Sequence, residues 1–271
     1  MDQMVQGFIG FVINVYIILL FLRLFISTSE RFDAVFGLVY KATDPVVVPI
    51  GSALRSGNFN FAPILVMAVL LVIKGMVLRS IPGAVQGFAN TLFQLYILII
   101  IIMSGFREYY TNPIASFGQR LVNPIRAVVA NFSQNLTTVN ILSGVLLIII
   151  HSVVTLIIGQ MYTQPNSAWQ IMGHLPPYQV HLAIVGSLNL ILNLTTFFVY
   201  AVLFNALLSW VSPDPGNPVV QLIALISAPI VEPIRRVVPP LAGVLDLSAM
   251  IAIFGLLFAQ QFGLRILSSF V

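Results

Sequence analysis

The sequence predicts an all-α polytopic membrane protein: six transmembrane helices paired as three helical hairpins, with interfacial amphipathic helices joining the members of each pair. Three observations carry this. Hydrophobic residues make up 59% of the chain and charged residues 7%, with a mean hydropathy of +1.01, against about 25% charged in an ordinary soluble domain. Six apolar stretches can each supply the roughly 17–25 residues that cross a bilayer as a helix. Three times, a long apolar stretch runs into a short Pro-interrupted segment bearing Arg or Lys and is followed by a second apolar stretch, and a repeat on that scale sets the architecture.

Span one lies between Asp2 and Arg23, and span two runs from about Phe61 to Leu78. Lys74 falls inside span two, near its end, where the butylene stem is expected to lie along lipid while the ammonium reaches the interface. Span three follows Arg79 and ends before Arg107. Span four covers about Asn140 to Ile158, span five about Leu182 to Ser209, and span six lies between Asp246 and Arg265. From Arg126 to Asp214 no Asp, Glu, Lys or Arg intervenes, so that run belongs in lipid or against other helices. Barrel strands would alternate apolar and polar residues over about 10 positions, and these stretches do not.

Span one is expected to remain in the mature protein. Its lead-in carries Asp2 and no Lys or Arg, its apolar run exceeds a signal h-region, and no A-x-A-like site follows. An Arg- and Ser-rich import leader is also missing, which favours a bacterial plasma (inner) membrane. The chain has no cysteine, which excludes disulfides, thiolate metal sites and iron–sulfur clusters.

Basic residues set the orientation. Arg23, Arg31, Lys41, Arg55, Arg107, Arg120, Arg126, Arg235 and Arg236 fall in the connections after spans one, three and five, against only Lys74, Arg79 and Arg265 on the other side. The positive-inside rule then puts those three connections in the cytoplasm and both termini outside. The connection from Gly159 to His181 is expected outside. The net charge of +4 is explained by this bias and requires no direct nucleic-acid binding.

The three cytoplasmic connections follow one design. Ser212-Pro213-Asp214-Pro215-Gly216 makes a turn, and Asn217-Pro218 has the form of an N-cap followed by Pro at the first helical position; Asn112-Pro113 repeats it. Apolar residues then recur at helical spacing: Val219, Leu222, Ile223 and Ile226; Ile114, Phe117 and Leu121; Phe32, Val35, Phe36 and Val39. These predict short amphipathic helices along the membrane surface. Proline is expected to break each one, at Pro45 and Pro49, at Pro124, and at Pro229 and Pro233. Asn60, Asn140 and Asp246 stand where an N-cap would start the returning span.

Leu208-Ser209-Trp210-Val211-Ser212-Pro213, Asn217-Pro218, Ala228-Pro229-Ile230-Val231-Glu232-Pro233-Ile234-Arg235-Arg236, Pro239-Pro240, Gly243 and Asp246-Leu247-Ser248 together resemble the signature of the YggT family, which includes the YlmG proteins. Thr43-Asp44-Pro45-Val46-Val47-Val48-Pro49 and Asn60-Phe61-Ala62-Pro63 are similar to the same motifs, and the middle of the chain keeps Asn123-Pro124-Ile125-Arg126. Ala249 stands where the family often has Pro, and no double Arg follows Pro49. The resemblance implies a first YggT-like hairpin unit at 1–82, a degenerate second at 83–165, and an external loop with the best-matching unit at 166–271. It also implies an integral membrane protein without an assigned enzymatic activity, from a family connected with cell division, nucleoid organisation, osmotic tolerance and, in plastids, assembly of photosynthetic complexes.

No convincing catalytic set, metal motif or cofactor site is found. The eight acidic residues all lie in connections or near span ends, whereas a proton relay or cation carrier usually needs a carboxylate in the membrane interior. His151 is the one histidine well inside a span, and a neutral imidazole bonded to a neighbouring helix is the expected state; His174 and His181 read as surface residues. Asn14, Gln94, Asn189 and Asn193 read as polar contacts between helices, or, more sharply, as a pseudo-threefold ring around a polar path. Gly83-x-x-x-Gly87 and Ser248-x-x-x-Ala252 would allow close helix approach. Pro229, Pro233, Arg235 and Arg236 are the candidate docking residues, for anionic lipid headgroups or for membrane or cytoplasmic protein partners. The expected function is a non-enzymatic membrane scaffold or assembly factor. The alternative is a channel or small-solute transporter in osmotic response, with Asn14, Gln94, His151 and Asn193 along its path.

Overall fold

The computed structural model describes residues 3–33, 35–56, 59–105, 112–163, 177–211, 214–238 and 247–270. Apart from a two-residue antiparallel bridge, Arg55–Ser56 with Phe59–Asn60, the described elements are helical. They are α1 (Gln3–Arg23), a 3-10 turn (Thr28–Phe32), α2 (Phe36–Leu54), α3 (Ala62–Val77), α4 (Ile81–Gly105), α5 (Pro113–Ala130), α6 (Leu136–Thr163), α7 (Pro177–Asn193), α8 (Thr195–Val211), α9 (Pro218–Val237) and α10 (Ser248–Ser268). Helices α7 and α8 abut at Leu194, where the amide of Leu194 donates to the Ile191 carbonyl at 3.0 Å; together they supply the fifth apolar stretch.

Six described segments are long and apolar enough to cross a membrane: Met4–Arg23, Ile81–Ser104, Leu136–Gly159, Gln179–Ser209, Pro218–Val237 and Ser248–Ser268. The protein is an all-α polytopic membrane protein. This set differs in one member from the sequence expectation, because α3, with 16 residues, rises only about 24 Å. Both α3 and α9 pack into a core, and the distribution of charge favours α3 as the span. Ala62, Val66 and Met67 of α3 share one core cluster with Ile17 and Leu20 of α1. Helix α9 instead exposes Glu232, Arg235 and Arg236, charges that cost several kcal/mol each, in order of magnitude, if moved into hydrocarbon.

The chain forms two compact units, 1–91 with 157–168, and 92–156 with 169–271. In the first, Val47 of α2 inserts between α1 and α3 and is fully buried. A tight turn follows α3. Arg79 has φ 55, the Ser80 amide donates to the Gly75 carbonyl at 2.8 Å and the Arg79 amide to the Met76 carbonyl at 3.2 Å, the pattern of a Schellman cap. A Cβ on Gly75 would lie 2.7 Å from the Ile81 Cα, so only glycine lets α4 start that close to α3.

In the second unit, Phe93, Ile97 and Ile100 of α4 pack with Val122 of α5, Leu147 of α6 and Leu194. Val202 of α8, Val231 of α9 and Ala252 of α10 form a further cluster. Residues facing lipid in a membrane protein remain apolar, which accounts for exposed Phe8, Phe204, Phe254 and Phe258.

Helices α3 and α6 do not start where the sequence placed their caps. Asn60 lies in the bridge, and Phe61, at the cap position of α3, makes no side-chain bond there. Asn140 is inside α6 and 4% exposed; Asn135 caps α6 instead, its Oδ1 accepting from the Thr137 amide at 3.0 Å. Asp246, His174, Arg107, Ser212, Pro213, Pro239, Pro240 and Gly243 lie outside the described residues.

Candidate functional site

The amphipathic helices start as their sequences require. Asn112 Oδ1 accepts from the Ile114 amide at 2.9 Å and the Ala115 amide at 3.2 Å, with Pro113 at the first helical position. Asn217 Oδ1 accepts from the Val219 amide at 2.9 Å, ahead of Pro218. Each cap is worth about 1 kcal/mol. Asn112 does more, since its Nδ2 donates to the Pro218 carbonyl at 3.0 Å and so ties the start of α5 to the start of α9. Helix α2 is capped by Asp33, whose Oδ1 accepts from the amides of Val35 and Phe36 at 2.8 and 3.2 Å. Its apolar face therefore begins at Phe36. Phe32, expected on that face, falls in the preceding turn and is 92% exposed.

The prolines do not break these helices. Pro45 and Pro49 lie inside α2, Pro124 inside α5, and Pro229 and Pro233 inside α9. A proline removes one N–H and pushes on the carbonyl four residues earlier, so its cost depends on where that carbonyl points. In α2 the affected carbonyls belong to Lys41 and Pro45, and in α9 to Leu225 and Pro229. Lys41, Pro45, Pro49, Pro229 and Pro233 are all exposed. Leu225 is half-buried; water at the exposed positions, or neighbouring groups where the carbonyl is covered, can satisfy the freed carbonyls, so each helix continues through its prolines.

The opposite faces are keyed into the cores by one repeated arrangement. Thr43 and Val47, Gly118 and Val122, and Ser227 and Val231 are buried pairs one turn apart, and each valine belongs to a different core cluster. Thr43 and Ser227 satisfy their hydroxyls within the helix, donating to the carbonyls of Val39 and Ala224. Val231 thus fixes the outward stripe of α9, where Pro229, Glu232, Pro233 and Arg236 follow at i, i+3, i+4 and i+7 and are exposed; Arg235 is exposed beside it.

A second charged site, not singled out from sequence, centres on Asp44. Arg23 Nη2 stands 2.7 Å from Asp44 Oδ1, Arg31 Nη2 donates to Oδ2 at 2.6 Å, and Arg23 Nη1 donates to the Thr43 hydroxyl. Both guanidinium groups lie over the Tyr40 ring, Arg23 at 4.7 Å and Arg31 at 5.9 Å. The Tyr40 hydroxyl donates to the Ile26 carbonyl at 3.3 Å. Burial raises the Tyr40 phenol above its ordinary pKa, with Arg23 pulling the other way. This cluster ties the end of α1 to α2. Its sequence signal is an Asp before Pro within reach of two arginines.

The intramembrane candidates each meet a local partner. Asn14, in the first unit, accepts from Lys74 Nζ at 2.9 Å. Lys74 is 7% exposed and turns toward α1 rather than out to the interface as expected, because a helical side chain leans toward its own N-terminus. In the second unit Gln94 donates to the Leu190 carbonyl at 3.3 Å, His151 Nδ1 lies 2.8 Å from Ser187 Oγ with the Phe93 ring stacked at 4.3 Å, and Asn193 lies 3.5 Å from Gln260 Nε2. Helix α7 collects these three contacts at Ser187, Leu190 and Asn193. Thr91, Ser187 and Gln260 are polar partners that the sequence reading did not single out. Lys74 and Gln260 carry the clearest signal, since each is strongly polar inside an apolar run.

The fold and these sites define a multi-pass α-helical membrane protein whose hairpins are bridged by proline-bearing surface helices. The model of the CCB3/YggT family matches residues 3–81 and 184–267, more than half of the chain, and the protein belongs to that family with an internally duplicated unit. It is 28% identical over 178 residues to the "uncharacterized protein in proC 3'region" of Vibrio alginolyticus, covering 63% of this chain and 88% of that one. It is 30% identical over 174 residues to an uncharacterized protein of Pseudomonas aeruginosa, covering 62% and 81%, and 25% identical over 183 residues to one of Haemophilus influenzae, covering 66% and 91%. No solved structure matches.

Proposed function

We propose that this protein is a non-enzymatic scaffold or assembly factor of a bacterial plasma membrane, with both termini outside and the proline-bearing helices on the cytoplasmic surface. One observation carries the reading: the stripe Pro229, Glu232, Pro233 and Arg236 is exposed on a helix whose other face is anchored by Val231, at 3% exposure. A stripe held by a continuous helix loses little conformational entropy when a partner docks. The basic residues beside it also face anionic headgroups, each interaction being worth about 1 kcal/mol near the surface. The partner is a membrane or cytoplasmic protein.

The middle of the chain is read as a third, degenerate hairpin unit. Gly118 and Val122 occupy the places of Thr43 and Val47, and the interval from Pro124 to the cap Asn135 equals that from Pro49 to Asn60.

A photo-crosslinking residue at position 236, in the full-length protein in its native membrane, tests the scaffold reading. A recurrent protein adduct supports it, and recovery of lipid alone overturns it.

A further inference from the structure

The first unit holds a buried cation that the docking stripe does not use. Lys74 sits on the inner face of α3 with Nζ bonded to Asn14 Oδ1 at 2.9 Å. Asn14 Nδ2 in turn lies 3.5 Å from the Thr91 hydroxyl, which donates to the Gly87 carbonyl at 2.8 Å. An ammonium has three donors, and among the described residues one finds an acceptor. Asp44 is taken up by Arg23 and Arg31, and among the described residues no carboxylate pairs with Lys74.

Burial decides what could balance it. Along α1 an ammonium held by Asn14 lies about 14 Å from Arg23, while Lys74 itself stands three residues before the end of α3 at Val77, so the cation is buried inside the hairpin on the side of the α3–α4 turn. A headgroup phosphate would have to leave the boundary beside the α3–α4 turn to reach an ammonium that is 7% exposed. A carboxylate carried on a membrane helix reaches that position.

Gly87 leaves an opening for it. A Cβ there would meet Lys74 Nζ at 3.6 Å and nothing else within 4 Å, so position 87 itself sets no side chain against the ammonium. Gly83, one turn earlier and likewise only partly buried, keeps the same face low enough for close helix approach. We propose that Lys74, reached across the Gly83-x-x-x-Gly87 face of α4, is the docking site for an intramembrane Asp or Glu on a helix of a partner membrane protein. The inference rests on the scaffold reading and names the chemistry of its partner.

The test uses the full-length protein in its native membrane, with a photo-crosslinking residue at position 83 and, separately, at position 236. Support is an adduct at position 83 to a membrane helix that carries Asp or Glu, reduced at least tenfold by Lys74→Met and retained by Lys74→Arg. Lipid alone at position 83, or an adduct indifferent to Lys74→Met, overturns it. Should Lys74→Met fail to accumulate, the charge exchange decides: Lys74→Glu paired with Lys in place of the partner's acid restores the adduct, or the proposal fails. Protein adducts at 236 with none at 83 overturn this inference and leave the scaffold reading standing, whereas lipid alone at both positions overturns both.

Discussion

The first and last proline-bearing helices share a frame and differ in what they do with charge. Thr43-Asp44-Pro45 in α2 corresponds to Ser227-Ala228-Pro229 in α9, and Val47 to Val231, with both valines buried in their own clusters. In α2 the carboxylate of Asp44 takes up Arg23 and Arg31. In α9 Ala228 stands in its place, and Arg235 and Arg236 come later and lie exposed. Arg23 and Arg31 therefore act within the protein as a lock between α1 and α2, while Arg235 and Arg236 are exposed at the surface of α9. Two positive charges beside a proline helix are thus held internally where an Asp precedes the proline and lie exposed where it does not, which is the contrast the proposed docking role rests on.

The largest way to break this contrast is to remove the lock. Asp44→Ala leaves Arg23, whose side chain is 11% exposed, without its carboxylate. Breaking a fully buried pair costs about 3–5 kcal/mol, and the partial exposure here brings the expectation to about 2–3 kcal/mol. The Arg31 arm, at 53% exposure, contributes under about 1 kcal/mol, so Arg31→Gln is the mild control. Thermal unfolding in detergent should fall clearly for Asp44→Ala and barely for Arg31→Gln. Equal shifts would show that the lock is a surface ion pair and dissolve the contrast.

The shared frame can be sharpened with the two valines. Val47→Ala and Val231→Ala each remove a buried anchor, and the packing lost between membrane helices is about 1–2 kcal/mol. The same measurement should give matching losses. A large effect at Val47 with none at Val231 would mean that α9 is not keyed into its hairpin, and the outward stripe would lose its fixed register.

Local chemistry was legible in the sequence and distant pairing was not. Asn112-Pro113 and Asn217-Pro218 act as caps because the bond runs to an amide two residues away, whatever the surroundings. Pro45, Pro49, Pro229 and Pro233 misled, because the price of an interior proline depends on whether water reaches the freed carbonyl, which only the tertiary placement fixes. Lys74 looked like a residue that reaches the interface until Asn14, distant in sequence, supplied a partner. Asn135 was missed as a cap although Asn135-Leu136-Thr137 parallels Asp246-Leu247-Ser248, and the parallel is visible only once the unit boundaries are known. Arg235 and Arg236, the proposed docking residues, stand out by composition in a chain with so few charges, and the structure adds that they are exposed on α9.

The caps give a smaller and more local contrast. Asn217→Ala removes one cap bond and should cost about 1 kcal/mol, read as faster amide exchange at the first turn of α9. Asn112→Ala removes two cap bonds and the tie to the Pro218 carbonyl, and Asn112 is 2% exposed. Its cost should be larger, about 1.5 kcal/mol, with faster exchange at the starts of both α5 and α9. Exchange confined to α5 would show that the two helices are independent.

The smallest expected change in stability falls at the docking stripe, and that is what separates docking from architecture. Arg236→Gln removes an exposed charge from the last turn of α9 and should move the unfolding midpoint by no more than about 0.5 kcal/mol equivalent. Arg31→Gln is similarly mild in stability, but Arg31 already has its carboxylate in Asp44 and projects beside α2. Partner retention measured by co-purification from native membranes should therefore drop for Arg236→Gln and hold for Arg31→Gln. If both variants retain the partner equally, the exposed arginines serve only to orient the protein in the membrane, and the charge that Asp44 captures in α2 has no functional counterpart in α9.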